Sequence, residues 1–313
     1  MPLQKYEHRA ALANSIRAHA KINLHLEVLN RRDDGYHNIF SLMASVALYD
    51  LLKLDDMMVH KSAGSVDISI AVRNKGGSHG SVIDSIPAHE NLIAKASTLY
   101  LERMGMNGKA TFSIRKDIPS GAGLGGGSSD AAAALKLLNG RLNAYPEDGL
   151  AEIGSKIGAD VPYCLRGGFA LCRGIGEIVM PVPGTLPCWI LIVNDGIHVD
   201  TESAYKALKR SADIDRDREA ATGKTTKLIV NALVNKSIEE LKSAAKNDFE
   251  TLFLQHPRIA EIKDNLYGQN ADFAIMTGSG SSVIGLFSTK EKAEQAKSKL
   301  VRDYKEVILT RFV

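Results

Sequence analysis

The chain has 313 residues, 44% of them hydrophobic and 24% charged, with a formal net charge of +3. This is length for two domains of ordinary globular composition, with too little positive charge to argue for nucleic acid as a partner. The three cysteines, odd in number and without C-x-x-C spacing, argue against a disulfide framework or zinc site, and no segment approaches the ~20 apolar residues of a membrane helix. The opening MPLQKYEHRA has neither a signal-peptide core nor transit-peptide character, so cytoplasm is the expected location.

From Arg17 to Leu29 apolar and polar residues alternate, which predicts a half-buried strand with Lys21 and Asn23 on one polar face beside His19, His25 and Glu27. The two histidines lack a third ligand and are not read as a metal site. A turn is expected at RRDDGYH (Arg31 to His37), then strands over Ser41 to Leu48 and Val66 to Val72, and a loop over Gly76 to Ile86. Leu92, Ile93, Ala96, Leu99 and Tyr100 recur at helical spacing, and Lys109 to Arg115 alternates as a strand.

That strand leads into IPSGAGLGGGSSDAAAALKLLN, Ile118 to Asn139, where a glycine loop opens directly onto an Ala-rich helix. Glycines let backbone approach a ligand closely, and a helix start offers unpaired N–H groups and a positive dipole end, so the segment reads as a phosphate cradle. Gly121, Gly123 and Gly126 also satisfy G-x-G-x-x-G, but a dinucleotide site needs a second parallel strand ending in an acidic residue, and Arg141 to Asp148 is a Pro-containing loop. ATGKTT (Ala221 to Thr226) imitates a Walker loop without its first glycine and is expected to be a solvated loop.

Further along, a helix over Leu150 to Ile157 stops at Gly158, and Gly168 to Met180 forms a hairpin. Three prolines and a glycine between Pro181 and Pro187 mark the expected boundary between a first domain, 1–182, and a second, 183–313. The second holds a strand at Trp189 to Val193 and helices over Glu202 to Lys209, Lys224 to Val234, Ile238 to Leu254 and Pro257 to Leu266. Strands Ala271 to Met276 and Ser282 to Phe287, a helix Lys290 to Val301 and a strand Glu306 to Arg311 complete the order of a ferredoxin-like split β-α-β unit.

The loop Pro119 to Ala132 resembles the second motif of the galactokinase, homoserine kinase, mevalonate kinase and phosphomevalonate kinase superfamily, and TGSGSSVIGLF (Thr277 to Phe287) its third. AKINLHLEV (Ala20 to Val28), DGYHNI (Asp34 to Ile39), ENLI (Glu90 to Ile93) and GADVPY (Gly158 to Tyr163) narrow the resemblance to the 4-diphosphocytidyl-2-C-methyl-D-erythritol kinases of non-mevalonate isoprenoid biosynthesis. The resemblance implies an α+β, two-domain small-molecule kinase fold: a ribosomal-protein-S5-like N-terminal domain and a ferredoxin-like C-terminal domain, with the active site in the cleft between them. It also implies ATP and Mg²⁺ as cofactors, a small-molecule cytidine-diphospho alcohol as partner, neither nucleic acid nor membrane, and a monomer or weak homodimer.

The resemblance assigns roles residue by residue, and each residue has a plainer reading beside it. Asp160 is the catalytic base of the resembled family, or a cap for the helix that Val161 and Pro162 begin. Lys21 is a charge that keeps Asp160 ionised and favours the transferring phosphoryl group, or a solvated strand lysine. Tyr36, His37 and Tyr205 would hold cytosine by stacking and edge contacts, with Asn23 and Thr201 toward the sugar alcohol, although Tyr36 and His37 also suit a turn. Asn91 and Lys116 would lie by the nucleotide, Asn91 being equally an N-cap. Pro119, Gly121, Gly123, Leu124, Gly125, Gly126, Gly127, Ser128, Ser129 and Asp130 form the ATP loop, with Ser129 as Mg²⁺ or phosphate contact and Ser128 as its alternate. Asp130 sits where members often carry asparagine. The rivals are another small-alcohol kinase of the superfamily and an RNA-binding protein built on the same N-terminal fold.

Overall fold

The computed structural model describes residues 14–61, 64–73, 90–211 and 216–313; the expected loop Gly76 to Ile86 lies outside them. Contacts divide the chain into a first unit (Met1–Ala20, Leu48–Ser120, Gly125–Arg166) and a second (Lys21–Ala47, Gly121–Leu124, Gly167–Val313). This differs from a single cut after residue 182 because two long strands, β1 (Ser15–Arg31) and β2 (His37–Lys61), each contribute residues to both units.

In the first unit, β3 (Val66–Val72) pairs in parallel with β4 (Met106–Arg115), and β4 pairs antiparallel with the distal part of β2, Leu51↔Arg115 through Lys61↔Met106. Among the described residues its helices are α1 (Leu92–Arg103), α2 (Gly126–Leu142), α3 (Glu147–Ser155) and α4 (Val161–Arg166). Ala131 to Ala134 of α2 are all buried among Ile93, Tyr100, Phe112 and Ile153, since short side chains let a helix lie close to its neighbours.

The second unit pairs proximal β2 with β5 (Phe169–Arg173) and β5 with β6 (Ile178–Pro181). Its four-stranded antiparallel sheet has the order β10-β7-β9-β8, formed by β7 (Trp189–Asn194), β8 (Phe273–Met276), β9 (Val283–Phe287) and β10 (Glu306–Arg311). Numbered within that sheet this is 4-1-3-2, the ferredoxin-like order expected from the sequence. The helices are α5 (Thr201–Ala207), α6 (Arg216–Val234), α7 (Ile238–Ala244), α8 (Pro257–Gly268) and α9 (Lys290–Leu300). None among the described residues is long and apolar enough to cross a membrane.

Three expectations are corrected. β1 is not half-buried: Lys21, Asn23, His25 and Glu27 are as enclosed as the apolar residues between them, because each finds a polar partner. ATGKTT is not a loop but part of α6, where Thr226 Oγ1 donates back to the Thr222 carbonyl and Ile229, Ala232 and Leu233 supply the buried side. The helix expected over Ile238 to Leu254 breaks after Ala244 and resumes as a 3-10 helix, Asp248–Gln255. Between them the backbone turns aside to β1, with Leu26 N–H donating to the Lys246 carbonyl and Asn247 Nδ2 donating to the carbonyls of Met276 and Gly278. Tertiary hydrogen bonds override the helical periodicity there.

Candidate active site

The glycine loop's shape follows from its backbone. Gly121, Gly123 and Gly125 all have left-handed φ (66°, 75° and 68°), and Gly125 is the residue from which α2 starts. At Gly123 the requirement is also steric: a Cβ would lie 2.7 Å from the Thr277 carbonyl oxygen and 2.9 Å from that of Gly280. The second and third motifs therefore meet backbone to backbone in the second unit. Leu124 is buried, and its carbonyl accepts the Lys21 N–H at 2.9 Å, which joins the loop to β1.

Lys21 and Asn23 do share one face of β1, as their spacing requires. Lys21 Nζ donates to Asn23 Oδ1 at 2.8 Å, and Asn23 Nδ2 donates to Ser41 Oγ at 2.8 Å. Asn23 N–H also donates to Thr277 Oγ1 at 2.8 Å, and a Cβ on Gly278 would come 3.7 Å from Lys21 Nζ. The ammonium is thus aimed by an amide whose own rotamer is fixed from the other side.

In the first unit, Ser129 N–H donates to the Gly125 carbonyl, and Ser129 Oγ donates to the Gly126 carbonyl at 3.0 Å. Ser128 is half-buried, and Gly158 packs against it, its virtual Cβ 3.8 Å from Ser128 Oγ. That contact brings the GADVPY turn, and Asp160 with it, beside the start of α2. The Asp160 carbonyl accepts the Cys164 N–H at 3.0 Å in the first turn of α4. Asn91 is the N-cap of α1, its Oδ1 accepting the Ile93 N–H at 2.9 Å.

Lys116 is 4% exposed and donates both to Asp50 Oδ2 and, at 2.6 Å, to Asp130 Oδ2. Burial works to lower the pKa of this lysine, but the carboxylates of Asp130 and Asp50 raise it above the usual value. Burial pushes the Asp130 carboxyl well above the usual range against the attraction of Lys116, and Asp50 adds to the rise. Asp50 went unnoticed in the sequence, although a lone carboxylate in the apolar run ALYDLL is itself a sign of a buried partner.

The aromatic residues assigned to the base lie in the second unit. His37 and Tyr205 are stacked, ring centroids 5.1 Å apart at 25°, and Tyr205 meets Phe249 edge-on at 4.9 Å. Burial, then Arg31 and Arg210, lower the pKa of His37, so its imidazole is neutral near pH 7. Tyr36 is 60% exposed. Thr201 Oγ1 lies 3.0 Å from Ser279 Oγ, a hydrogen bond from α5 to the third motif.

Both halves of this arrangement match a known class of small-molecule kinase: the profile of the GHMP kinases N terminal domain covers residues 91–168 and that of the GHMP kinases C terminal covers 229–306. A 4-diphosphocytidyl-2-C-methyl-D-erythritol kinase of Caldicellulosiruptor saccharolyticus is 37% identical over 298 residues, 94% of this chain and 95% of the relative. One from Clostridium kluyveri is 36% identical over 304 residues, 95% of this chain and 99% of its own length. A crystal structure of 4-(cytidine 5'-diphospho)-2C-methyl-D-erythritol kinase superposes with a TM-score of 0.71 at 30% identity, covering 95% of this chain and 98% of its own. The chain belongs to the family of 4-diphosphocytidyl-2-C-methyl-D-erythritol kinases. The homoserine kinase of Cytophaga hutchinsonii shares the fold, with a TM-score of 0.68 at 20% identity.

Proposed function

We propose that the protein transfers the γ-phosphoryl group of ATP to the 2-hydroxyl of 4-diphosphocytidyl-2-C-methyl-D-erythritol, releasing ADP, as a cytoplasmic step of non-mevalonate isoprenoid precursor synthesis. The observation that carries the reading is identity of 36–37% maintained over nearly the whole length of the chain and of its relatives. Asp160 accepts the proton of the substrate hydroxyl as its oxygen attacks the γ-phosphorus, and the pair of electrons of the broken P–O bond leaves with ADP. Lys21, aimed by Asn23, stabilises charge on the transferring group. Phosphoryl transfer asks chiefly for positioning and charge stabilisation, which this inventory supplies.

The glycine loop from Pro119 to Asp130 holds the phosphates, with Gly121, Gly123 and Gly125 giving the backbone its curvature and Asn91 and Lys116 toward the nucleoside. Tyr36, His37 and Tyr205 hold the cytosine, and Thr201 the sugar alcohol. Mg²⁺ is the expected companion of ATP, and no group of three or more His, Cys, Asp or Glu that could hold a metal occurs among the described residues. The hydroxyls of Ser129 and Ser128 are the hard oxygen donors at the helix start that would complete its shell, the metal supplying neutralisation of phosphate charge. The boundary between the two kinase modules is placed near residue 182 along the chain, with β1 and β2 contributing to both contact units.

An ADP-release assay with 4-diphosphocytidyl-2-C-methyl-D-erythritol, mevalonate, homoserine and galactose tests the reading. Turnover is expected with the cytidine substrate alone. Equal or faster turnover with any of the other three would overturn it.

A further inference from the structure

The glycine loop is flanked by a buried cluster that the transfer chemistry does not use. Asp50, fully buried in β2, accepts two consecutive backbone N–H groups on Oδ1, from Asp117 at 2.6 Å and from Ile118 at 2.9 Å. These are the last residues before Pro119 opens the loop, and a residue preceding proline is already restricted to extended backbone. The other oxygen, Oδ2, receives Lys116 Nζ, which also reaches Asp130, one turn into α2 and just past the end of the loop. Gly126, the first residue of that helix, rests directly on the cluster: a Cβ there would lie 3.2 Å from Ile118 Cγ2 and 3.5 Å from Lys116 Nζ.

We propose that Asp50 is a positioning residue for nucleotide binding, one oxygen fixing the entry of the glycine loop and the other, through Lys116 and Asp130, fixing its exit. A loop with several left-handed glycines has large conformational freedom to lose on ordering, and anchoring both ends removes much of that loss before the ligand arrives. Asp130 is short of alternatives: its Oδ1 is buried and has no hydrogen-bond partner, so its side chain is attached through Oδ2 and Lys116. The proposal rests on the reading of this loop as the ATP phosphate site.

The test is calorimetric titration of ADP and of 4-diphosphocytidyl-2-C-methyl-D-erythritol into the full chain and its variants. Asp50→Ala leaves the N–H groups of Asp117 and Ile118 without this acceptor and Lys116 without one of its two carboxylates, and an ADP dissociation constant about 5- to 150-fold higher is expected, with affinity for the cytidine ligand little changed. Should that variant fail to fold, Asp50→Asn decides: its amide oxygen still serves the two N–H groups, but its NH₂ opposes the Lys116 ammonium, so ADP affinity falls by less.

Unchanged ADP affinity in Asp50→Ala, or in Asp50→Asn where only that variant folds, overturns the proposal, as does equal loss of both ligands. Asp160→Asn, titrated alongside, separates the two levels of argument. If the wild type binds ADP and Asp160→Asn binds it without turnover, the kinase reading stands and only the anchor is in question. Absence of ADP binding by the wild type removes both.

Discussion

Two lysines, 4% and 5% exposed, are held in the two units by different chemistry, and the contrast separates holding from reacting. Lys116 lies between two carboxylates, which raise its pKa against burial and tie its charge to the first unit's framework. Lys21 donates to the amide of Asn23, which fixes the direction of its ammonium. A dipole gives a charge its direction, and a pair of carboxylates ties one to the framework.

The strongest challenge to this division lies at Asp160, the proposed base. Asp160→Asn keeps the carbonyl that accepts the Cys164 N–H, and with it the first turn of α4, while losing the ability to take a proton. Turnover is expected to fall on the order of 10²–10⁴ with ADP affinity close to wild type. A kcat near normal in a steady-state assay would return Asp160 to a capping role.

Exchanging the lysines for methionine sharpens the contrast itself. Lys116→Met leaves Asp50 and Asp130 buried without their cation, a loss of about 3–5 kcal/mol of stability by analogy with broken buried pairs. Lys21→Met leaves a buried amide oxygen short of a donor, a smaller cost, but removes transition-state stabilisation on the order of 10²–10³ in kcat. Urea unfolding and single-turnover rates measured on both variants give opposite rank orders if the division is right. The same rank order in both measurements would erase it.

The parts of this machinery that were legible in the sequence are those whose cause is local. The glycine loop declares itself because left-handed backbone and close approach demand glycine at particular positions, and Asn91 because a cap is set by its own helix. Lys21 and Asn23 were placed together by the two-residue period of a strand alone. The partners of Asp50 were not legible: Lys116, Asp117 and Ile118 are far along the chain, and nothing in the run ALYDLL states which distant groups its carboxylate will meet. The break at Ala245 to Asn247 was hidden for a similar reason, since apolar spacing continues across it while the hydrogen bonds that cause it come from β1 and the third motif. Which part of β1 would be buried was misjudged because alternation reports two faces, not whether the polar one is paired.

The strand that carries Lys21 also carries a pH dependence of its own, set by a histidine. His25 is fully buried, its Nδ1 accepts the Lys246 N–H at 3.2 Å, and burial, followed by Lys246, lowers its pKa to about 4. The unfolded chain therefore takes up a proton near pH 6.5 that the folded one refuses, so the contribution is complete above that pH and is lost as pH falls toward 4. The loss amounts to roughly 3 kcal/mol by pH 4, and His37, shifted in the same direction, adds to it. Urea unfolding between pH 7 and 4 should show the decline, shallower in His25→Asn, whose Oδ1 stands where Nδ1 accepted. A variant with an undiminished slope would place the effect elsewhere.

The smallest expected effects concern the cytosine contacts, where the two tyrosines differ as the two lysines do. Tyr205 is already built into the second unit, stacked on His37 and edge-on to Phe249, so Tyr205→Ala removes packing as well as any contact with a base. Tyr36, 60% exposed, has little packing to lose, and its replacement reports on ligand binding alone. Stacking on a base is worth roughly 1–3 kcal/mol, about 5- to 150-fold in the dissociation constant, so Tyr36→Ala should weaken the cytidine substrate within that range at unchanged melting temperature. Tyr205→Ala should show a similar loss together with a lower melting temperature, and Phe at either position should be tolerated because the ring face carries the interaction. ADP affinity should stay constant throughout. If Tyr36→Ala binds the cytidine substrate as tightly as wild type, the base is held by His37 and Tyr205 without it, and the exposed ring is only part of the turn that its sequence also describes.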